Sequence, residues 1–177
     1  MRKAIFFDRD GVLVKTDIKS GSPVAINDKN NFEFATNQLN LFKELKSKGF
    51  FFFLFTNQPD VARGKVLKME VDLINTKVAE RYLLDDVFVC YHDDDDNCMC
   101  RKPKNGLILN AKDKYDLNLN QSFVIGDRWR DMDAAENSNC KSVFIDHHYS
   151  EKHPSKYKFS FENINDAMRF IIGSCNE

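Results

Sequence analysis

Short runs rich in Ile, Val and Phe alternate along this chain with stretches whose apolar residues recur every three or four positions. That alternation predicts strands joined by helices, the βα units of a parallel sheet. Residues 4–7 are continuously apolar, which suits a strand covered on both faces. Thr36 or Asn37 can cap a helix that buries Leu39, Leu41, Phe42 and Leu45 and stops at Lys46, Lys48 and Gly49. Residues 50–55 form a second predicted strand, bounded by Gly49 and by Thr56-Asn57-Gln58-Pro59. Val71, Ile74, Val78 and Tyr82 mark a helix within 66–84, followed by a strand over 87–91. A helix over 106–115, a strand over 123–125, a helix over 132–137 and a strand over 143–145 continue the series. A helix over 164–172, with Ala167, Phe170 and Ile171 inward, closes it. Without repeat or linker, the pattern predicts one doubly wound α/β domain over residues 1–177.

Composition narrows the class. At 177 residues, 42% apolar and 30% charged, the chain fits one soluble domain by the guide of about 150 residues each. A disordered tail, a collagen-like fibre and a small disulfide scaffold are excluded. The 26 basic and 27 acidic residues leave a net charge of −1, so no global field draws the chain to nucleic acid or an anionic membrane. The longest apolar run, 49–55, is far below the ~20 residues that span a bilayer. The basic Met1-Arg2-Lys3 leads to Asp8 and Asp10 rather than to a signal-peptide core. A cytoplasmic monomer with no nucleic-acid or membrane partner is expected. Five cysteines, three of them crowded between Cys90 and Cys100, favour reduced thiols or a metal over a disulfide framework.

The informative polar residues all follow predicted strands, and in an open parallel sheet the ligand crevice lies outside the strands' carboxyl ends. Asp8-Arg9-Asp10-Gly11 follows the first strand. Residues two apart on an extended backbone point to one side, so Asp8 and Asp10 can face one reacting group. They can divide nucleophilic and proton-transfer work or hold a hard cation, and a merely polar loop accounts for the motif equally well. Thr56, Asn57 and Gln58 follow the second strand and can hold phosphate oxygens without adding charge; a helix cap or turn uses the same residues. Arg101-Lys102-Pro103-Lys104 offers cations for phosphoryl oxygens or for a solvated surface. Asp127, and Asp131 four residues on, can complete a magnesium site, or Asp131 can serve only the helix N-terminus.

The order DxDGV, TNQ, Lys102 and GDxxxD resembles the four motifs of the haloacid-dehalogenase-like (HAD) phosphohydrolases, over nearly the whole chain. FDRDGV, FTNQ and CxHx5CxCRKPK most resemble the subfamily of D,D-heptose 1,7-bisphosphate and histidinol-phosphate phosphatases. The resemblance implies a Rossmann-like core in which Asp8 attacks phosphorus and forms an aspartyl-phosphate. Asp10 then protonates the leaving alkoxide and later activates water. It implies Mg²⁺ on Asp8, the backbone carbonyl of Asp10 and Asp127, with Thr56 and Lys102 on the phosphoryl oxygens. Arg9, Asn57, Gln58, Arg101 and Arg128 are the expected substrate contacts, although the family usually carries lysine at the position of Arg128.

Cys90, His92, Cys98 and Cys100 supply three thiolates and an imidazole within eleven residues, the set that wraps a tetrahedral, structural Zn²⁺; free thiols beside a solvated Asp93–Asp96 run are the plainer alternative. The segment 15–34 is too short for a cap domain, so an open pocket for a small substrate is expected. A heptose 1,7-bisphosphate is the first choice, because Arg101 and Arg128 have no evident partner within the site and offer charge for a second phosphate; the plainer alternative is that they pair with Asp131 or the Asp93–Asp96 run. Histidinol phosphate is the enzyme alternative. A zinc-stabilised binding module without activity is the third, opposed by the presence of Asp8, Asp10, Thr56, Lys102 and Asp127 together.

Overall fold

β1 (Lys3–Phe7) is paired in parallel on both sides, with β4 (Phe50–Asn57) and with β6 (Phe123–Gly126). The computed structural model describes residues 1–175. With β5 (Asp86–Cys90), β7 (Lys141–Ile145) and β8 (Phe159–Phe161), these strands form a six-stranded parallel sheet in the order β5-β4-β1-β6-β7-β8. That order is doubly wound, with its topological switch between β1 and β6.

Alternate side chains of each strand face opposite layers. Ile5, Phe7, Phe52, Leu54 and Ile125 pack on one face under α1 (Leu39–Ser47), α2 (Lys68–Tyr82) and α5 (Ile164–Gly173). Ala4, Phe6, Phe53, Phe55 and Val124 pack on the other under α3 (Gly106–Tyr115) and α4 (Trp129–Glu136). Coverage on both faces accounts for the unbroken apolar runs.

Several local features depart from the sequence pattern, among them β8, which no expected strand covers. A short antiparallel hairpin, β2 (Asp17–Lys19) with β3 (Ser22–Val24), occupies the first loop. Its turn places Ser20 and Gly21 at positive φ, and its strands are exposed or half-buried, so no buried face marks it in the sequence. Neither Thr36 nor Asn37 caps α1: Gln38 takes that position, and Thr36 Oγ1 instead accepts from the Gln38 N–H at 3.0 Å. α4 begins at Trp129, three residues earlier than expected, because the Asp131 carboxylate accepts from the Arg128 N–H at 3.0 Å and so stabilises its first turn. Among the described residues, no helix is long and apolar enough to cross a membrane.

Candidate active site

The switch point carries a buried nest of charge. Asp8 leaves the end of β1 with its N–H on the Ile125 carbonyl of β6 (3.0 Å), and Asp127 leaves the end of β6. Asp8, Asp127 and Asp131 offer carboxylate oxygens within 4.8 Å of one another. Lys102, reaching in from the loop after β5, sits 3.0 Å from Asp8 Oδ1 and donates to Asp131 Oδ1 at 2.5 Å and to the Phe55 carbonyl at 3.1 Å. All four residues are buried. Burial opposes the lysine's charge, but Asp131 and Asp8 outweigh it and raise its pKa above the ordinary value. Burial raises Asp131 to about 6, with Lys102 opposing and Asp8 adding. Burial, then the charges of Asp8 and Asp131, push Asp127 well above the usual carboxylate range.

Two glycines make this crowding possible. At Gly11, φ is +83° and an added Cβ would lie 1.9 Å from Asp127 Oδ2; at Gly126 it would lie 2.2 Å from the Asp131 Cβ. Tyr149, from the loop after β7, donates to Asp127 Oδ2 at 2.7 Å. Asp127 Oδ1 is buried with no hydrogen-bond partner. Three acids against one lysine, with one oxygen left over, form a donor set that fits a hard divalent cation.

Asp10 stands apart from the nest and is held from behind. Arg9 Nε and NH2 each donate to it at 3.1 Å, and Gln58 Nε2 donates at 3.0 Å. Arg9 itself is fully buried, with further bonds to Asn75 Oδ1, Gln58 Oε1 and the Ile26 carbonyl. Gln58 is 1% exposed and also donates to Thr56 Oγ1 at 3.0 Å. Arg9 and Gln58, expected as substrate contacts, do not line the cavity: Arg9 spends its guanidinium on Asp10, Gln58, Asn75 and the Ile26 carbonyl, and Gln58 its amide on Asp10 and Thr56. Asn57 does line it, and it clasps the Lys102 backbone through both its amide groups (3.1 Å each).

The cavity above the nest measures about 400 Å³ and is bordered by Asp8, Asp10, Thr56 and Lys102 at its floor. Arg101, Arg128, Arg130 and Arg63 stand at its rim, with Pro23, Val24 and Ala25 at the end of the hairpin. Both rim arginines have partners: Arg101 follows the plainer alternative and pairs within the Asp93–Asp96 run, while Arg128 pairs with Glu151. Arg101 Nε and NH2 grip Asp94 at 2.8 and 3.2 Å, and that pairing holds the Asp94 carboxyl down to about 2. Arg128 Nε and NH2 grip Glu151 at 2.8 and 2.5 Å. Arg130, Arg63 and Tyr149 were not among the residues expected from sequence. Only the position of Arg130 beside Asp131, in the first turn of the helix after β6, could have signalled it.

Beside the rim, Cys90, His92, Cys98 and Cys100 bring their ligand atoms within 4.8 Å of one another. Sulfur–sulfur separations are 3.7, 3.2 and 3.4 Å, and His92 Nδ1 lies 3.6 and 3.3 Å from Cys90 and Cys100. Tetrahedral ligands about 2.3 Å from a metal are separated by roughly 3.8 Å, so the cluster has the size of a metal cage. Burial works against ionisation of Cys98, yet hydrogen bonds from Cys100 and from the Arg101 backbone bring its thiol down to about 7. The Asp93–Asp96 carboxylates stay outside the cage, as expected.

Comparison with known proteins gives this arrangement relatives. Residues 3–168 match the family model described as polynucleotide kinase 3 phosphatase. A D-glycero-beta-D-manno-heptose-1,7-bisphosphate 7-phosphatase from Helicobacter pylori is 36% identical over 149 residues, covering 81% of this chain and 83% of that one. The D-glycero-alpha-D-manno-heptose-1,7-bisphosphate 7-phosphatase of Campylobacter jejuni is 31% identical over 174 residues, covering 96% and 95%. The crystal structure of D,D-heptose 1,7-bisphosphate phosphatase from B. bronchiseptica, complexed with magnesium and phosphate, superposes with a TM-score of 0.81. At 23% identity over 97% of this chain and 99% of that one, it bears on the fold. With its motifs at the switch point of a doubly wound sheet, the chain belongs to the polynucleotide kinase 3 phosphatase family, among the HAD-like phosphohydrolases that include the heptose 1,7-bisphosphate 7-phosphatases.

Proposed function

We propose that this chain is a phosphoric monoester hydrolase that removes the 7-phosphate of a D-glycero-D-manno-heptose 1,7-bisphosphate. The observation that carries the reading is the nest of Asp8, Lys102, Asp127 and Asp131 beneath a cavity whose rim holds further arginines. A cavity of about 400 Å³ and a net charge of −1 suit a small soluble phosphate ester rather than a polynucleotide. The named relatives, which act on both anomers of this sugar, support the same substrate.

In this reading an Asp8 carboxylate oxygen attacks phosphorus as the bond to the sugar oxygen breaks, leaving an aspartyl-phosphate. Asp10, steadied by Arg9 and Gln58, gives a proton to the departing alkoxide. It then takes one from the water that hydrolyses the intermediate and regenerates Asp8. Lys102 and Thr56 hold phosphoryl oxygens; Gln58 occupies a lone pair of the Thr56 hydroxyl, leaving its proton free to donate. Asp8, the Asp10 carbonyl and Asp127 would hold Mg²⁺, with Asp131 and Lys102 beside them. When bound, the ion supplies the positive charge that lets a carboxylate approach an anionic phosphate. The cysteine and histidine cluster would hold Zn²⁺ with all four positions filled by protein, a structural role that fixes the loop carrying Arg101 and Lys102.

The test is kcat/KM for heptose 1,7-bisphosphate against histidinol phosphate, in wild type and in Arg101→Ala. The bisphosphate should lead by at least ~100-fold, and the variant should lose most of that margin, since a charge-assisted contact is worth roughly 1.5–3 kcal/mol. Equal rates, or a preference for histidinol phosphate, would overturn the substrate.

A further inference from the structure

The rim holds an anion of the protein's own where a substrate anion would be received. Asp94 sits on the cavity wall, on the short turn between His92 and Cys98. Its two oxygens take three hydrogen bonds, all from arginines: Arg101 Nε at 2.8 Å, Arg101 NH2 at 3.2 Å and Arg130 NH1 at 3.1 Å. The Asp94 side chain is 54% exposed, against 11% for Arg101 and 27% for Arg130. The carboxylate is thus the loosest member of the trio, and the arginines are the fixed ones. Arg101 NH1 is anchored on the His92 carbonyl, and Arg130 NH1 also reaches the Lys102 carbonyl at 3.3 Å. That second contact puts the trio on the backbone of the lysine that touches Asp8.

Neighbouring Asp93 behaves differently. Its carboxylate caps the turn through the Asp94 N–H and takes a two-pronged contact from Arg63, so it belongs to the loop's framework. The Asp94 side chain has no such duty, and turning it toward solvent breaks no backbone contact. Arg128 contrasts in the same way: its partner Glu151 is only 16% exposed and is better shielded from exchange.

We propose that Asp94 is a displaceable internal counter-ion for the substrate's second phosphate, and that Arg130 joins Arg101 in receiving that phosphate once Asp94 has swung away. A phosphate presents the same paired oxygens as a carboxylate with more charge, so it takes over both arginines, while an uncharged sugar end leaves Asp94 in place. The carboxylate thereby competes with the second phosphate, setting a threshold that a phosphate's greater charge crosses and a singly charged anion does not. The inference rests on the bisphosphate reading above.

The experiment measures KM and kcat of the full chain for heptose 1,7-bisphosphate and for the corresponding heptose 7-phosphate, in wild type, Asp94→Asn and Arg130→Ala. Asp94→Asn should lower KM for the bisphosphate by about fivefold, the weight of an exposed ion pair, and leave KM for the monophosphate unchanged. Arg130→Ala should raise KM for the bisphosphate by about tenfold, again without moving the monophosphate, and kcat should stay within about twofold in both variants. An unchanged or raised bisphosphate KM in Asp94→Asn would mean that the carboxylate merely orients the arginines, and the inference fails. An equal change for both substrates overturns it as well. A wild type that shows no preference for the bisphosphate defeats the substrate reading, and this inference with it, before any variant is made.

Discussion

The floor and the rim of the cavity both carry opposed charges, but they hold them in different ways. At the floor, Asp8, Lys102, Asp127 and Asp131 are all under 8% exposed; strand ends and a helix start fix the backbones of the acids, and the Asn57 amide holds that of Lys102. There the acids outnumber the lysine, burial raises two of them, and one oxygen is left without a partner. At the rim, every arginine facing the cavity has found a carboxylate, and those pairs are partly open to water. A buried, unbalanced set can be completed only by something from outside, whereas a solvated, balanced set can trade one anion for another at little cost. In the proposed reading, chemistry is therefore built into the floor, and selection among substrates into the rim.

Asp8→Asn strikes at the floor. It should lower kcat by at least ~10³-fold, since the nucleophile is lost while the shape is kept. Removing one of three crowded acids should also leave the melting temperature no lower than wild type; turnover by pure variant, or a large loss of stability, would contradict this account. Lys102→Met tests the opposite sign. Three buried carboxylates lose the cation that touches two of them, and the protein should be destabilised by about 3–5 kcal/mol in denaturant titration. Cys98→Ser probes the cage that ties floor to rim: zinc content should fall from about one per chain, and stability by about 2–3 kcal/mol. In the same sample series, dilute EDTA should abolish activity that Mg²⁺ alone restores. The smallest effect belongs to the rim. Glu151→Gln should alter stability by less than ~1 kcal/mol, and a loss as large as that of Lys102→Met would erase the distinction between the two regions.

The floor was legible in the sequence because its residues lie on the segments that leave apolar runs, and strand ends converge wherever the sheet is parallel. Asp8, Asp10, Thr56, Lys102 and Asp127 all gather there, and the spacing of Cys90, His92, Cys98 and Cys100 anticipated their cluster. The rim was less legible, since its order comes from contacts between loops far apart in the chain. Nothing near Arg101 in sequence reveals that Arg130 shares its carboxylate, nor that Glu151, 23 residues away, holds Arg128. Arg9 misled for a related reason. The chain turns at that residue, with the N–H groups of Leu13 and Val14 on its carbonyl, so its side chain folds inward to Asn75 of α2. A charged residue between two acids at a strand end reads as a substrate contact until the direction of the turn is known.

The strand order has one more consequence, for the timing of assembly. β1 lies between β4 and β6, and its contact with the segment leading into β6 spans 118 residues, from the Ala4 N–H to Ser122 Oγ. A chain emerging from the ribosome displays Asp8, Asp10, Thr56 and then Lys102 well before β6 exists. Until β6 docks, neither Asp127 nor Asp131 has a place, and Lys102 lacks the Asp131 carboxylate that offsets its burial. Such long-range closure comes late in folding, because loop-closure entropy opposes it until the rest of the sheet is ready. In the proposed reading the nascent chain is thus inert toward phosphate esters by topology, and competence waits for the sixth strand in the sequence to take its seat beside the first.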